Sequence, residues 1–409
     1  MIHALLVAYA AVAVVLVEVS IQPGEAGHLA SLIRPIAMIA PILAVWMLAQ
    51  TIPLPIKSWA HPIWASAETA LDNPIAGSIT IDLGATLVAI CRYFSAIAIL
   101  FVAVAVTIDR MRAEWVLFWL VGVTTLAAVV QIIHNLGGFN FFDEATDAGV
   151  RASTTALCAL GVIVAATATV RAIERYETRR TRTDVPSTKF AIALGLALVA
   201  FAICSLSLAF FAPAPIIFAA ASGCAILAIL MVIRRLGLNL WAGVAIAAMA
   251  IGSAIAIAGT YAGSGVLTLR YASHSQSSLI SMAQRIIEDT GWPGTGAGTF
   301  ASLLPIYRAA DSVAAGMSAP TTAAQIAIEL GWPAFWAILI MTIVFLFLLL
   351  QGALQRGRDS FYPAAGVSCI VVLTLEAFCD ASLLRTTVVI CAAAALGLGL
   401  AQSVSRTSQ

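Results

Sequence analysis

The stretch TLVAICRYFSAIAILFVAVAVT, from Thr86 to Thr107, is a long apolar run that contains one charged residue, Arg92. A helix of about 20 apolar residues crosses the roughly 30 Å hydrocarbon core of a bilayer. Since lipid offers no hydrogen-bond partner to exposed backbone groups, a run that crosses the bilayer must be helical. This stretch is therefore predicted to be a transmembrane helix.

The rest of the chain has the same character. Hydrophobic residues make up 61% of its 409 residues and charged residues 10%, whereas a soluble domain carries about 25% charged residues. Because so apolar a chain has too few polar side chains to cover a soluble core, we expect an all-α, polytopic transmembrane helix bundle. About 11 spans are predicted, near residues 2–20, 32–50, 86–107, 115–134, 152–170, 190–211, 214–233, 237–260, 323–350, 361–379 and 386–404. The first run lacks a basic start and a cleavage site, so it is interpreted as a retained helix.

The basic residues distinguish the two sides of the predicted bundle. Most of the 21 Lys and Arg fall in loops such as DRMRAE, RAIERYETRRTRTDVPSTK, RRLGLN and QRGRD. Cytoplasmic loops carry an excess of Lys and Arg, so this set is predicted to be cytoplasmic. The N-terminus is then outside and the C-terminus inside. The opposite side holds Lys57, Arg92, Arg151, Arg270, Arg285, Arg308 and Arg385.

This topology divides the chain into three regions. Residues 1–260 are predicted to hold transmembrane helices 1–8, residues 261–322 a large external loop with short helices, and residues 323–409 helices 9–11. Long ordered loops are usually functional, so the external loop is the first place to look for a site.

The seven cysteines all lie in apolar runs. They form no Cys-x-x-Cys pair and no Cys/His cluster with zinc spacing. We interpret them as small buried hydrophobic residues, and the sequence predicts no metal ion.

The external loop contains the glycine-rich stretch DTGWPGTGAGTF, from Asp289 to Phe300. A dinucleotide-binding loop would follow a strand, and a nucleotide-binding P-loop would add Lys-Ser/Thr. Neither is present here. The stretch is therefore interpreted as a structural turn, formed by Pro293, Gly294, Gly296 and Gly298.

The segment before this turn, SLISMAQRIIED, has apolar residues at a helical period. They are Leu279, Met282, Ile286 and Ile287. The period predicts an amphipathic helix that lies at the outer membrane surface or caps the bundle. Gly291 and Pro293 are expected to end it, and Trp292 suits the interface.

Ionisable residues lie near the outer ends of two late spans. Glu329 precedes Gly-Trp-Pro in QIAIELGWPAFWAILI, and Glu376 and Asp380 stand four residues apart in LTLEAFCDASLL. Such residues are costly at membrane depth, face the protein interior and tend to pair. We expect Glu376 and Asp380 to share one helix face and to pair with Arg385.

The order of these pieces resembles the O-antigen ligase and O-antigen polymerase superfamily. The pieces are WPGTGAGTF, YRAAD (Tyr307 to Asp311), QIAIELGWP and CDASLL. The resemblance covers mainly residues 270–404 and extends weakly to TIPLPIKSWAHP and DAGVRAS. No single piece is specific, but their order and membrane placement together are.

The resemblance implies a glycosyltransferase of the bacterial inner membrane. It would transfer glycans from undecaprenyl diphosphate to another sugar or to lipid A core at the periplasmic face. The implied partners are an undecaprenyl-diphosphate-linked glycan, membrane lipid and other polysaccharide-assembly proteins, with no nucleic acid and no cofactor. A polymerase is favoured over a ligase because nothing in the chain indicates a lipid A acceptor.

The donor diphosphate needs no metal ion if arginines hold it, since guanidinium groups match phosphate oxygens in a bidentate way. The external candidates are Arg151, Arg270, Arg285 and Arg308. They would stabilise the charge that develops on the leaving diphosphate. The alternative for each is snorkelling at the interface or pairing with a nearby acid.

The chain departs from the family at one element. Members commonly carry a His-x-His-Asn-like element before the place of Gln325, whereas here the sequence is MSAPTTAAQ, with Ser318, Pro320 and Thr321 at those positions. None of the three is a base near neutral pH. Candidate replacements are Glu329 and His274, followed by Glu288, Asp289 and the His134-Asn135 pair.

Three functions stay open on the sequence. The first is an active glycosyltransferase. The second is a non-catalytic relative that acts as a partner subunit, which the missing His element favours. The third is a secondary transporter, which the lack of an internal repeat disfavours.

Overall fold

The computed structural model describes residues 23–53, 60–137, 144–180, 188–236, 266–272, 277–307, 319–355 and 359–403, together with Gly252. Within these ranges the protein is all-helical and has no strand, which confirms the predicted fold class at that level. The predicted span 2–20 lies outside the described residues. So does the span 237–260, apart from Gly252.

Nine long helices form the body of the described part of the chain. They are α1 (Pro23–Thr51), α3 (Leu83–Thr107), α4 (Arg110–Gly137), α5 (Glu144–Arg180), α6 (Thr188–Phe211), α7 (Ala214–Leu236), α10 (Thr322–Gln355), α11 (Phe361–Cys379) and α12 (Thr386–Ala401). Three shorter helices are α2 (Ile63–Leu71), α8 (Ser277–Asp289) and α9 (Phe300–Tyr307), and a 3₁₀ turn, Ser382–Leu384, precedes α12.

Among the described helices, eight are long and apolar enough to cross a membrane, and the 16-residue α12 is an apolar helix just below that length. All nine coincide with predicted spans. The chain is therefore membrane-embedded, with eight spans supported by length and composition.

Two helices form the centre of the bundle. In the spanning parts of α5 and α11, 78% and 72% of residues are buried, against 18% to 28% in α1, α3, α4, α6 and α10. The glycine at position 223 allows α7 to pack closely against α11. A Cβ there would lie 2.4 Å from Val372 of α11, which is closer than two carbon atoms can approach. The remaining helices surround α5 and α11 and turn apolar side chains outward.

The end of the bundle that carries the basic loops contains ion pairs whose acids are buried. Arg110 pairs with Asp359 at 2.7 Å, and Glu114 accepts both Arg171, at 2.5 Å, and Arg175. Arg171 is 5% exposed. These pairs tie α4, α5 and the turn before α11 together, so part of the basic excess on this side is structural.

The predicted amphipathic helix is present as α8. Its apolar residues Leu279, Met282, Ile286 and Ile287 are all buried. They pack with Phe300 of α9 and Ile328 of α10 in one hydrophobic cluster. The helix therefore packs its apolar face on the first part of α10, as the sequence pattern predicts.

Candidate functional site

The helix α10 is interrupted one third of the way along its length. Gly331 has φ 80° and ψ 169°, and Pro333 follows it. A backbone at these angles leaves the helical path, and proline brings no N–H. The carbonyl groups of Ile328, Glu329 and Leu330 therefore need partners from outside the helix, because a buried unpaired carbonyl is costly.

The glycine loop, defined here as residues 291–298, supplies most of those partners. The Thr295 N–H donates to the Ile328 carbonyl at 3.0 Å, and the Gly296 N–H donates to the Glu329 carbonyl at 2.9 Å. The Trp46 indole N–H of α1 donates to the Leu330 carbonyl at 2.8 Å. All three interrupted carbonyl groups are thus satisfied by segments distant in sequence.

The glycines of this junction are required by conformation and by space. Gly294, Gly296 and Gly298 have φ of 81°, 106° and 76°, in the left-handed region that other residues rarely adopt. A Cβ on Gly296 would lie 2.2 Å from the Thr80 hydroxyl, and one on Gly331 would lie 2.2 Å from the Trp292 carbonyl. Residues 294–297 of the loop are buried within the core, whereas Gly291 and Trp292 at its start are exposed.

Glu329 binds the glycine loop with its side chain. It is 6% exposed. Oε2 accepts the Gly298 N–H at 2.7 Å, and Oε1 accepts the Phe300 N–H at 3.3 Å and the Gln325 amide at 2.8 Å. Three donors therefore fix this carboxyl between the loop, the start of α9 and α10. Its role as a catalytic acid or base stays a prediction.

Gln50, near the end of α1, connects this helix to the glycine loop and to α10, and it was not predicted from the sequence. It is fully buried. Its amide donates to the carbonyls of Pro293, at 2.9 Å, and Glu329, at 3.1 Å, and its Oε1 accepts the Ala297 N–H at 3.2 Å. A glutamine that closes an apolar run was the available signal, since a polar side chain there must find partners.

The segment before α3 completes the junction. The Ile81 N–H donates to the Thr295 carbonyl at 3.0 Å. Asp82 caps α3 by accepting the Ala85 N–H at 3.0 Å, and the Ser302 hydroxyl donates to it at 3.0 Å. The Ala85 amide, followed by the Ser302 hydroxyl, lowers the pKa of Asp82 below its ordinary value.

A cavity of about 640 Å³ lies between α1, α3, α10, α11 and α12. Most of its wall consists of Ile, Leu, Val, Ala and Phe side chains. Its charged and amide side chains, Arg92, Gln325 and Glu329, lie near the glycine loop. Hydroxyl groups also line the wall, from Tyr93, Ser95, Thr322, Thr342, Thr374 and Thr386. Arg92 is within electrostatic reach of Glu329. The cavity thus combines a polar end, defined by Arg92, Gln325 and Glu329, with a mostly apolar remainder, called the trough, that carries isolated hydroxyl groups.

The arginines predicted to hold a diphosphate lie elsewhere on the protein. Arg151 on α5, Arg270 in the turn before α8 and Arg285 on α8 are exposed, and none of the three lines the cavity. Arg308 and His274 lie outside the described residues. The cation that the structure does place at the cavity is Arg92, which the sequence reasoning counted among the external bases without assigning it a role.

The expected pairing near the end of α11 is wrong. The helix ends at Cys379, and Asp380 is extended, with φ −150° and ψ 179°, so Glu376 and Asp380 do not share a helix face. Instead, Asp380 Oδ1 accepts the Ser382 N–H at 3.0 Å and its hydroxyl at 2.5 Å. Arg385 is exposed, lies against Gly149 and pairs with neither acid among the described residues.

Asp380 also anchors the start of α10. Its carbonyl accepts the Thr322 N–H at 2.7 Å and the Thr322 hydroxyl at 2.9 Å. Burial raises the pKa of the Asp380 carboxyl, against the opposing effect of the Ser382 hydrogen bonds. We call this contact between Asp380 and Thr322 the outer joint.

Thr321 acts as a helix cap at the place where the family commonly has Asn. Its hydroxyl accepts the Ala324 N–H at 3.0 Å and donates to the Thr268 carbonyl at 2.7 Å. Pro320 beside it is buried, and Ser318 lies outside the described residues. The described part of this element therefore has a structural role.

The remaining acid and base candidates lie away from the cavity. Glu288 is exposed and accepts the Gln284 amide at 3.0 Å. Asp289, also exposed, interacts with Tyr307, and burial together with Asp289 raises the pKa of that phenol. Asn135 donates to the Gln131 carbonyl within its own helix at 2.7 Å, and His134 is half-buried beside it.

No three His, Cys, Asp or Glu side chains of the described ranges come together in a group that could hold a metal ion. No protein-family model matches the chain, and no curated protein is similar to it. The site is therefore interpreted from its own geometry and from the resemblance of its sequence pieces.

Proposed function

We propose that the protein is a glycosyltransferase of bacterial surface-polysaccharide assembly. It would sit in the inner membrane with about 11 spans, the N-terminus outside and the C-terminus inside. It would polymerise, or ligate, undecaprenyl-diphosphate-linked saccharides at the periplasmic face, beside the loop of residues 261–322.

One observation carries the proposal, namely the division of the cavity into a polar end and an apolar trough. A polyprenyl diphosphate has the same division, with a charged head on a long hydrocarbon chain. Ligand pockets are mostly apolar with a few well-placed polar groups. The trough supports binding of the hydrocarbon, and Arg92 supports binding of the diphosphate.

The contacts between the sequence pieces support the resemblance. The WPGTGAGTF piece forms the glycine loop, which packs onto the ELGWP piece through Gly294 and Gly331. The CDASLL piece holds the start of α10 at the outer joint. Three of the four pieces therefore belong to one structural unit at the polar end of the cavity.

In this proposal the guanidinium of Arg92 stabilises the diphosphate as it leaves the sugar, since charge develops there in the transition state. Glu329 is the acid or base on the cavity wall. A base needs a lone pair directed at the acceptor hydroxyl, so Glu329 would act through Oε1 once the Gln325 amide releases it. His274 is the alternative base.

A second candidate is a non-catalytic partner subunit that binds the same lipid-linked saccharide. Two observations favour it. The MSAPTTAAQ element lacks histidine, and the three described arginine candidates are exposed and do not line the cavity. The cavity would then hold the lipid for an enzyme elsewhere in the assembly complex.

The test is binding of undecaprenyl diphosphate to the purified protein in lipid nanodiscs, with undecaprenol as the ligand that lacks the charge. Ala96→Phe fills the cavity from α3 and is expected to abolish binding of both ligands. Ala98→Phe on the same helix does not touch the cavity wall and serves as the matched control. Arg92→Gln is expected to weaken binding of the diphosphate about tenfold, as for loss of one charge-assisted contact, and to leave undecaprenol unaffected.

Glycan transfer in a strain that lacks the chromosomal copy separates the two candidates. Wild-type binding together with transfer supports the enzyme, and binding without transfer under any condition supports the partner subunit. Equal binding by wild type and Ala96→Phe would overturn both.

A further inference from the structure

Glu376 is a buried carboxyl group without a partner among the described residues. It lies in the spanning part of α11, is 0% exposed, and neither of its carboxyl oxygens has a hydrogen-bond partner in the described part of the chain. No ion pair among the described residues includes it. A buried, unpaired ionised carboxylate is strongly disfavoured, so the group must lose its charge or gain a ligand.

The group does not belong to the cavity described above. The helix α11 presents Leu373, Thr374, Ala377 and Phe378 to the cavity, while Glu376 points to a different side. There it comes within electrostatic reach of Cys158 on α5. The proposed function makes no use of this residue.

A metal cation does not suit the site. Hard cations take about six oxygen ligands, yet Glu376 has no oxygen partner and joins no metal-binding group among the described residues. A proton needs no cavity and no further ligand. It is the one cation that removes the charge with the atoms already present.

Asp380 decides which of two neighbouring acids holds that proton. It follows Glu376 by one turn, and its N–H donates to the Glu376 carbonyl at 3.0 Å. Its charge disfavours a second charge on Glu376. Because Asp380 Oδ1 accepts two hydrogen bonds from Ser382 and Glu376 accepts none, the charge belongs on Asp380 and the proton on Glu376.

We propose that Glu376 is an occluded proton-binding site, protonated at rest, whose proton is exchanged when the outer joint opens. The joint consists of the two hydrogen bonds from Thr322 to the Asp380 carbonyl. The Asp380 backbone is hydrogen-bonded both to the Glu376 carbonyl and to Thr322, so opening the joint would release the end of α11 one turn after the buried acid. The inference does not depend on the proposed glycan transfer.

The titratable groups that face Glu376 are few. They are Asp380, Cys369 and Cys379 from its own segment and Cys158 from α5. Among the described residues of the other packed helices, α7, α10 and α12, no acid or base acts on it. Asp380 is therefore the group whose charge controls the proton.

The experiment is infrared difference spectroscopy of the protein in lipid at neutral pH. Wild type should show the carbonyl stretching band of a protonated carboxylic acid, with slow exchange in D₂O. The band should be lost in Glu376→Gln and kept in Glu288→Gln, which changes an exposed acid. Absence of the band from wild type, or its survival in Glu376→Gln, would overturn the proposal.

A second variant keeps the proposal testable if Glu376→Gln does not fold. Asp380→Asn removes the neighbouring charge, so the wild-type band should persist to higher pH in this variant. In wild type, hydrogen exchange in the first turn of α10 should accelerate at the pH at which the band disappears. A joint that opens at the same rate with the acid protonated or ionised would contradict the coupling.

Discussion

Glu329 and Glu376 occupy comparable positions and have opposite surroundings. Each is a buried glutamate near one end of a helix long and apolar enough to span a membrane, at 6% and 0% exposure. The Glu329 carboxyl accepts three hydrogen bonds from three segments, while the Glu376 carboxyl accepts none from the residues that the structure describes. The difference shows that burial of an acid alone does not define its role, because the first is part of the framework and the second is isolated within it.

The largest expected effect comes from breaking the framework around Glu329. Gly331→Ala places a Cβ where the Trp292 carbonyl lies, at a φ of 80° that alanine rarely adopts. We expect a loss on the order of 4 kcal/mol in the free energy of unfolding, since a backbone clash and strain act together. Thermal unfolding in detergent, followed by size-exclusion chromatography, measures it. Gly195→Ala, which meets no atom within 4 Å on α6, is the control and should not destabilise.

The second-largest expected effect is the loss of stability when the Glu329 carboxyl is removed. Glu329→Ala removes the acceptor for the buried Gly298 and Phe300 N–H groups. An unsatisfied buried donor costs about 1–3 kcal/mol, so the variant should lose about 3 kcal/mol of unfolding free energy. The same unfolding measurement applies, with Glu288→Ala on the surface as control. A loss no greater than that of the control would mean that the three hydrogen bonds do not hold the loop.

The matched change at Glu376 should have the opposite outcome. Glu376→Met fills the same space with an apolar side chain and leaves no partner unpaired, since none existed. Replacing a buried polar group by an apolar one is often neutral or stabilising, so the unfolding free energy should stay within about 1 kcal/mol of wild type or rise. Glu329→Met, measured in parallel, should be destabilised like Glu329→Ala. Strong destabilisation by Glu376→Met would reveal a partner of that carboxyl.

The smallest expected effect is on the pH dependence of stability. It involves Asp82, next to the glycine loop, and Asp380, next to Glu376. The pKa of Asp82 lies below its ordinary value of 3.8, so its contribution to stability is present above 3.8 and is lost as pH falls through the folded-state pKa. The pKa of Asp380 lies above 3.8, so its contribution is present below 3.8 and is lost as pH rises through the folded-state pKa. Unfolding midpoints measured across acidic pH should therefore shift in opposite directions in Asp82→Asn and Asp380→Asn. Shifts of the same sign would contradict the assignment.

The sequence predicted the features that depend on composition and local period. Runs of about 20 apolar residues located the described spans, and the spacing of Leu279, Met282 and Ile286 predicted the buried face of α8 correctly. These signals are local, because each helix must bury or expose one face whatever its neighbours are.

The features that depend on distant pairing could not be predicted. The sequence indicated a turn at the glycine loop but not its partners, because the loop N–H groups satisfy carbonyls that the break at Gly331 releases. Gln50 was missed, since its partners lie hundreds of residues later. The end of α11 could have been predicted from the sequence, because Asp-x-Ser favours a side-chain turn over a continued helix. Asp380 forms this turn by accepting the Ser382 N–H.

The contacts of Gln50 also set an order of assembly. Its amide meets the carbonyls of Pro293 and Glu329, which follow it by 243 and 279 residues. During synthesis α1 enters the membrane long before either carbonyl exists, so a buried amide waits unsatisfied through the insertion of at least five helices. These hydrogen bonds of Gln50 can therefore form only after residues 293 and 329 have been synthesised. In a chain that stops before Glu329, the Gln50 amide would lack the Glu329 carbonyl as a hydrogen-bond acceptor. An incomplete chain would therefore differ from the complete protein by an unsatisfied polar group at the end of α1.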